Sequence, residues 1–382
     1  MKKIGILTFH NVPNYGAALQ VYALKNFLEL ISGTEASVID FQCQGNDNGF
    51  EPSEIERSIA SSKSPFLKRA VKITLFKLFT KKEYSIKTKA FSDFRSKYLN
   101  IDSDLESLSE NYELFVCGSD QIWNPNITDG LKDYYFGANK NQKGVRTVSY
   151  AASCGNVDDV CCSFEKPFFE MLSSLDKIGV REVSLDRYLK ENNVESSCNI
   201  DPTFLLSKDD YVNGFSLKNT DKKYILCYAL QKNPALKTAA EQISKRMGLP
   251  IIYVCGYIER KPHASNELFS VSPTGFLELL YNSEYVITNS FHGMAFSLIF
   301  EKNFNIVLPN SRASRLTDFL ESLSLTNRIC TAENINISDI SYKEVNSLLN
   351  VNIEESKKYL NNEVGALKLC DSTKISRLIR CY

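Results

Sequence analysis

The feature that most constrains this chain is an alternation. Short runs rich in β-branched and aromatic residues are followed, again and again, by longer stretches with apolar residues at helical spacing. Runs that short fit strands, and helices between them force neighbouring strands to run parallel, so the pattern predicts an α/β protein. In the first half the strand candidates are Lys3–Phe9, Ala36–Phe41, Leu114–Cys117 and Thr147–Tyr150, with Asp176–Val180 and Cys198–Ile200 later. Leu19, Val21, Tyr22, Leu24, Phe27 and Leu28 place a first helix over Ala17–Leu30. After Asp201-Pro202-Thr203 the pattern restarts with strand Tyr224–Leu230, a helix around Leu236–Met247 and strand Ile251–Val254. A helix over Thr274–Asn282, strand Tyr285–Thr288 and a helix after Gly293 follow. Two open α/β units in 382 residues agree with the domain size that one core supports, and they imply a ligand cleft between them.

Composition narrows the class. Forty-five basic residues balance 45 acidic ones, which argues against a nucleic-acid binder. No apolar run approaches the roughly 20 residues needed to span a bilayer. The opening Met1-Lys2-Lys3 has the basic start of a signal peptide, but polar His10-Asn11 cuts its apolar run short. It reads as a first strand of a cytoplasmic protein. Eleven cysteines without a Cys-x-x-Cys pair point to buried thiols, with neither a disulfide framework nor a metal site. One stretch stands apart: between Lys63 and Lys97 lie eleven Lys or Arg and two acidic residues, interleaved with Phe and Leu. It reads either as a solvated amphipathic helix or as a peripheral docking face for anionic membrane or a lipid-linked phosphate.

Five segments carry candidate chemistry. The loop Asn14-Tyr15-Gly16-Ala17-Ala18-Leu19-Gln20 joins the first strand to its helix, where Gly16 and small neighbours let a ligand approach; an ordinary turn is the alternative. It has neither a dinucleotide fingerprint nor a P-loop, so no NAD or ATP is expected. Gly118-Ser119-Asp120-Gln121-Ile122-Trp123 follows a strand. Asp120 either activates a hydroxyl or caps a helix, and Trp123 either stacks on a sugar or packs in the core. Arg181, after the apolar Ile178–Val180, suits a carboxylate or phosphate, or else pairs with Glu182. Arg312 and Arg315 stand one helical turn apart and can face one ligand, or stay solvated. The last segment is Asn289-Ser290-Phe291-His292-Gly293. One of only three histidines sits there at a strand–helix junction, where helix N–H groups and an imidazole converge on an anion or deliver a proton.

Together and in this order, these segments, with Val180-Arg181-Glu182 and Asp201-Pro202-Thr203, resemble the polysaccharide pyruvyl transferase family over roughly residues 4–330. The resemblance implies two Rossmann-like domains facing a cleft in a glycosyltransferase-B-like arrangement. These would be residues 1–205 on the acceptor side, 206–350 on the donor side, and helices over 351–382 packing back on the first domain. It implies transfer of the pyruvyl skeleton of phosphoenolpyruvate onto two hydroxyls of a sugar, on a capsule or exopolysaccharide unit or a lipid-linked oligosaccharide, with release of phosphate. By the same resemblance Arg181 and His292 handle the donor, with Ser290 and Gly293 beside them. Asp120 lies in the cleft motif with Asn14, Tyr15, Gly16, Gln20, Ser119 and Trp123. Several relatives carry Arg-Leu-His where this chain has Ser290-Phe291-His292, so one donor cation is missing, and Arg312 or Arg315 is expected to replace it. Neither a metal nor a cofactor is required. The competing class is a nucleotide-sugar-dependent glycosyltransferase on the same architecture.

Overall fold

The computed structural model describes residues 1–41, 66–257, 266–309, 313–331 and 333–378. Five strands, β1 (Lys2–Leu7), β2 (Thr34–Ile39), β3 (Ile101–Asp102), β4 (Leu114–Cys117) and β5 (Arg146–Ser149), form a parallel sheet ordered β3-β2-β1-β4-β5. Two short strands, β6 (Gly179–Val180) and β7 (Ser197–Cys198), pair beside it, tied to its edge by bridges Val148–Lys177 and Ala152–Val180. The second sheet holds β8 (Ile225–Ala229), β9 (Ile251–Cys255), β10 (Glu267–Leu268), β11 (Tyr285–Thr288) and β12 (Asn303–Ile306), ordered β10-β9-β8-β11-β12 and again parallel. Both orders reverse at the centre, the doubly wound Rossmann-like plan. Strands β4, β8 and β11 are buried at every position, as parallel strands covered by helices on both faces must be. The architecture is α/β and glycosyltransferase-B-like.

The helix expected from Ala17 begins earlier, at Tyr15, and runs to Leu30. Asn14 caps it: its side-chain oxygen accepts from Gly16 N at 2.8 Å and Ala17 N at 3.4 Å, satisfying donors the helix leaves open. Likewise the helix placed after Gly293 starts at Phe291 and ends at Ile299, because Ser290 is its N-cap. His292 therefore stands inside the first turn rather than ahead of it.

The two units share one continuous apolar core. Leu19 and Leu24 of the first belong to the same buried cluster as Phe276, Leu277 and Phe296 of the second. Tyr15 is the rivet. Its ring stacks on Phe276 with centroids 4.6 Å apart, and meets Tyr228 edge-on at 5.7 Å. Its hydroxyl donates to Val271 O at 3.0 Å. A long helix, Phe66–Tyr98, braces this junction: Phe91 packs on Tyr15 at 5.3 Å and Phe94 on Tyr22 at 6.2 Å.

This corrects the reading of the basic segment over its later part. Lys87 is only 1% exposed, with Nζ 4.4 Å from the Phe269 ring centre and 3.4 Å from Gly256 O. Burial draws its ammonium down to about 7. Residues 63–65 lie outside the described residues. The last helix, Tyr342–Leu378, crosses to the first sheet, where Tyr359 donates to Ser149 O at 2.9 Å and Glu363 pairs with Arg146. Among the described residues no helix is long and apolar enough to cross a membrane.

Because Tyr15 fills the junction, Tyr15→Ala should lower unfolding stability by about 3–5 kcal/mol through the cavity it leaves. Tyr15→Phe, which removes one hydrogen bond, should cost about 1 kcal/mol. Urea denaturation of the two variants against the parent measures both; equal losses would show that the ring does not carry the junction.

Candidate active site

In a doubly wound sheet, ligands bind beyond the carboxyl ends of the strands, where the winding reverses. In the first sheet that point lies between β1 and β4, in the second between β8 and β11. The segments leaving those strands are Thr8–Asn14, Gly118–Asp120, Leu230–Asn233 and Asn289–His292. Asn289 spans the second crevice, accepting from Leu230 N at 2.8 Å and donating to Gln231 O at 2.8 Å. The turn holding His292 is thus fixed to the neighbouring strand end.

Across the junction the two crevices meet at a cluster of charge. Arg181 has a side chain only 5% exposed. Its Nη1 donates to Asp201 Oδ2 at 2.9 Å, its Nε to Glu182 Oε1 at 3.4 Å, and its Nη2 lies 4.0 Å from Asp120 Oδ1. The Phe291 ring covers it, with its centre 5.6 Å from Cζ. His292 comes in from the second unit, Nε2 3.5 Å from the same Asp201 Oδ2. Asp201 is fully buried and also accepts from Thr203 N at 3.1 Å and Thr203 Oγ1 at 2.9 Å. Glu182 accepts from Ser153 Oγ at 2.6 Å. Two donors in this cluster, Arg181 Nη2 and His292 Nε2, are buried with no hydrogen-bond partner among the described residues, Nε2 having only the 3.5 Å ionic contact with Asp201.

The balance of burial and charge is clear at two groups. Burial alone would raise the Asp201 carboxyl, but His292, Arg181 and the Thr203 N–H outweigh it and hold that carboxyl well below the usual range. Burial alone would make Arg181 easier to neutralise. Glu182, Asp201 and Asp120 reverse this and keep the guanidinium charged.

The structure thus brings together Arg181, His292 and Asp120, and adds Asp201, Glu182 and Ser153. Asp120 has positive φ (71°), a side chain 17% exposed, and an Oδ1 that accepts from Gln121 N at 2.8 Å. Gly16 belongs to the cluster by its missing side chain: a Cβ there would stand 2.0 Å from His292 Nδ1. Other expected site residues have structural employment. Trp123 is fully buried, stacked on Phe136 at 5.1 Å and donating Nε1 to Tyr135 O at 3.0 Å, so it offers no face to a sugar. Tyr15 is in the junction core and Asn14 is a cap.

Gln20 and Ser119 are fully buried as well. Gln20 donates to Thr8 Oγ1 at 3.0 Å, and Ser119 donates to Ala151 O at 2.9 Å. Ser290 accepts from Gly293 N at 3.4 Å, while a Cβ at Gly293 would meet Thr288 Oγ1 at 2.5 Å. Packing thus accounts for that glycine. Arg312 lies outside the described residues; Arg315 stands on the Ala313–Ser322 helix. Among the described residues there is no cluster of three or more metal-type ligands.

The depressed Asp201 carboxyl makes a stability prediction. Its contribution is complete above the unfolded value of about 4 and is lost as pH falls toward the folded one. Asp201→Asn should therefore melt below the parent at pH 7, and the gap should close as pH drops below about 4. Thermal melts across pH 2.5–7 decide it; a gap independent of pH would remove the charge argument.

A family model described as polysaccharide pyruvyl transferase matches residues 14–311. Among curated proteins, none matches this sequence. Similar solved structures include UDP-N-acetylglucosamine 2-epimerase from Rickettsia bellii, 12% identical over 100% of both chains with TM-score 0.42. Another is UDP-GlcNAc 2-epimerase from Neisseria meningitidis bound to UDP-GlcNAc, 9% identical over 98% of this chain and 100% of that one, TM-score 0.43. A UGT transferase from Siraitia grosvenorii in complex with UDP is 8% identical over 96% and 95%, TM-score 0.43. The matched span takes in the Asn14 loop, the Asp120 turn, the Arg181 and Asp201 segments and His292, and the chain belongs to the polysaccharide pyruvyl transferase family.

Proposed function

We propose that this transferase moves the pyruvyl group of phosphoenolpyruvate onto two hydroxyls of a sugar in a capsule or exopolysaccharide precursor, forming a cyclic ketal and releasing phosphate. The observation that carries the reading is the pair of buried donors, Arg181 Nη2 and His292 Nε2, supplied by different units and without a hydrogen bond among the described residues beyond loose ionic contacts with Asp120 and Asp201. A buried donor without a partner costs about 1–3 kcal/mol, more when charged, and an arriving anion would recover it. Phosphoenolpyruvate carries both a carboxylate and a phosphate. The first turn of the Phe291–Ile299 helix adds its N-terminal dipole to the same place.

In the reaction so read, C3 of the donor takes a proton and becomes a methyl group while one sugar hydroxyl bonds to C2 and loses its proton. Phosphate then leaves C2, and the second hydroxyl closes the ketal, releasing the second proton. His292 as imidazolium is assigned the first protonation, and Arg181 the charge on the leaving phosphate. Asp120, the more exposed carboxylate, is assigned the acceptor hydroxyl. Arg315 remains a candidate further cation for the donor, in place of the arginine that relatives carry at Ser290.

Phosphate release from phosphoenolpyruvate should require a glycan acceptor and should fall by about 10²–10⁴-fold in His292→Ala that still folds. An unchanged rate would remove His292 from the chemistry. In a thermal-shift comparison phosphoenolpyruvate should stabilise the protein and UDP should not; the reverse would favour the nucleotide-sugar class.

Peripheral contact with anionic membrane is part of the same proposal, since lipid-linked acceptors lie there. Lys82 and Lys89 are exposed on the basic helix. Flotation with vesicles containing phosphatidylserine should carry the protein at low salt and release it at about 0.5 M salt. No flotation at low salt would end this part of the proposal.

A further inference from the structure

Among the described residues Asp201 is the one charged group that touches both Arg181 and His292, and it has no exposure with which to touch solvent. It does not stand at a strand end aimed into a crevice. It sits in the turn where the chain leaves the first unit, and that turn is held from two sides: Tyr150 donates to Ile200 O at 2.9 Å and Tyr211 to Thr203 O at 2.9 Å. Ile200 N in turn donates to Ser356 Oγ of the last helix at 2.9 Å. Oδ1 is occupied by both donors of Thr203, so Oδ2 alone serves Arg181 and His292. One oxygen between a guanidinium and an imidazole from different units is a geometric reference for both.

We propose that Asp201 is the positioning residue of this site: its carboxylate ties Arg181 of the first unit to His292 of the second, setting both donors before an anionic ligand arrives. This rests on the reading of Arg181 and His292 as the donor-binding pair. The division of labour follows from the distances. Nη1 of Arg181 is spent on Asp201, which leaves Nη2 without a hydrogen bond among the described residues, 4.0 Å from Asp120 Oδ1. His292 Nε2 faces a carboxylate oxygen and therefore carries hydrogen, since a lone pair there would be repelled.

The groups facing this pair are few. Glu182 and Asp120 lie around Arg181, Tyr150 and Tyr211 back the Asp201 turn, and Gly16 brings the start of its helix against the other edge of the imidazole. Glu182 and Asp120 touch Arg181 from its outer side, and among the described contacts neither reaches His292. Losing Asp201 therefore frees the imidazole from its only carboxylate contact among the described residues.

The test compares Asp201→Asn and Thr203→Val with the parent. Asn keeps the shape and removes the charge; Val removes one hydrogen bond to Oδ1 and leaves the charge. For Asp201→Asn, kcat for phosphoenolpyruvate-dependent phosphate release should fall by about 10²–10³-fold while KM rises by less than about 5-fold. Thr203→Val should lower kcat by about 3–10-fold.

A readout independent of substrate is the NMR signal of the His292 ring at fixed pH, identified among three histidines by its loss in His292→Gln. Its chemical shift should change in Asp201→Asn, where the carboxylate contact is lost, and stay near the parental value in Thr203→Val. An unchanged His292 signal and a parental kcat in folded Asp201→Asn overturn the proposal. If Asp201→Asn does not fold, a parental kcat in Thr203→Val overturns it. If the parent does not turn over phosphoenolpyruvate, the donor reading fails, while the NMR signal still decides the role of Asp201.

Discussion

The rest of the site depends on one buried oxygen. Asp201 Oδ2 lies 2.9 Å from Arg181 and 3.5 Å from His292, and these come from units that share no strand. A carboxylate taken out of water is expensive unless compensated by charge and hydrogen bonds together. Here both are present, and the compensation requires that the second unit be docked. Were His292 withdrawn, Asp201 would keep Arg181 and Thr203 but lose the imidazole. The energetics of the site and of the domain junction are therefore the same energetics.

The docking itself is made by apolar packing with almost no slack. Tyr15 lies between Phe91 of the long helix and Phe276 of the second unit, and the next residue is Gly16, whose absent Cβ admits the His292 ring. Interiors packed this closely behave as switches between discrete arrangements rather than as soft hinges. A shared core across both units favours a junction that stays closed around its donors.

Much of this was readable in the chain. The parallel order of both sheets follows from the alternation of short apolar runs with helical stretches, and Arg181 and His292 stand out because each ends an apolar strand run. Boundaries were less readable. Asn14 and Ser290 start their helices ahead of the apolar periodicity, because capping depends on one side-chain oxygen and not on a pattern. Trp123 misleads for a related reason: a lone tryptophan beside Gly-Ser-Asp looks like a sugar platform, and only the partners Phe136 and Phe168 reveal it as core. Asp201 hides behind its own motif. Asp-Pro-Thr reads as a turn, and it is one, with the carboxylate of that turn doing a second job across the junction.

Ser290 shows how a local need can compete with a chemical one. As N-cap it satisfies Gly293 N and starts the helix that carries His292, a contribution of about 1 kcal/mol in typical caps. An arginine at that position would give up the cap and bring a charge beside Tyr228, whose hydroxyl burial already keeps from ionising. The cluster therefore holds three carboxylates, Asp120, Glu182 and Asp201, against one guanidinium and one imidazole. Asp120 stands 4.0 Å from Arg181 Nη2 and Asp201 stands 3.5 Å from His292 Nε2, so an anion taken up under the proposed reading would meet these donors beside carboxylates, with the helix N-terminus adding positive potential.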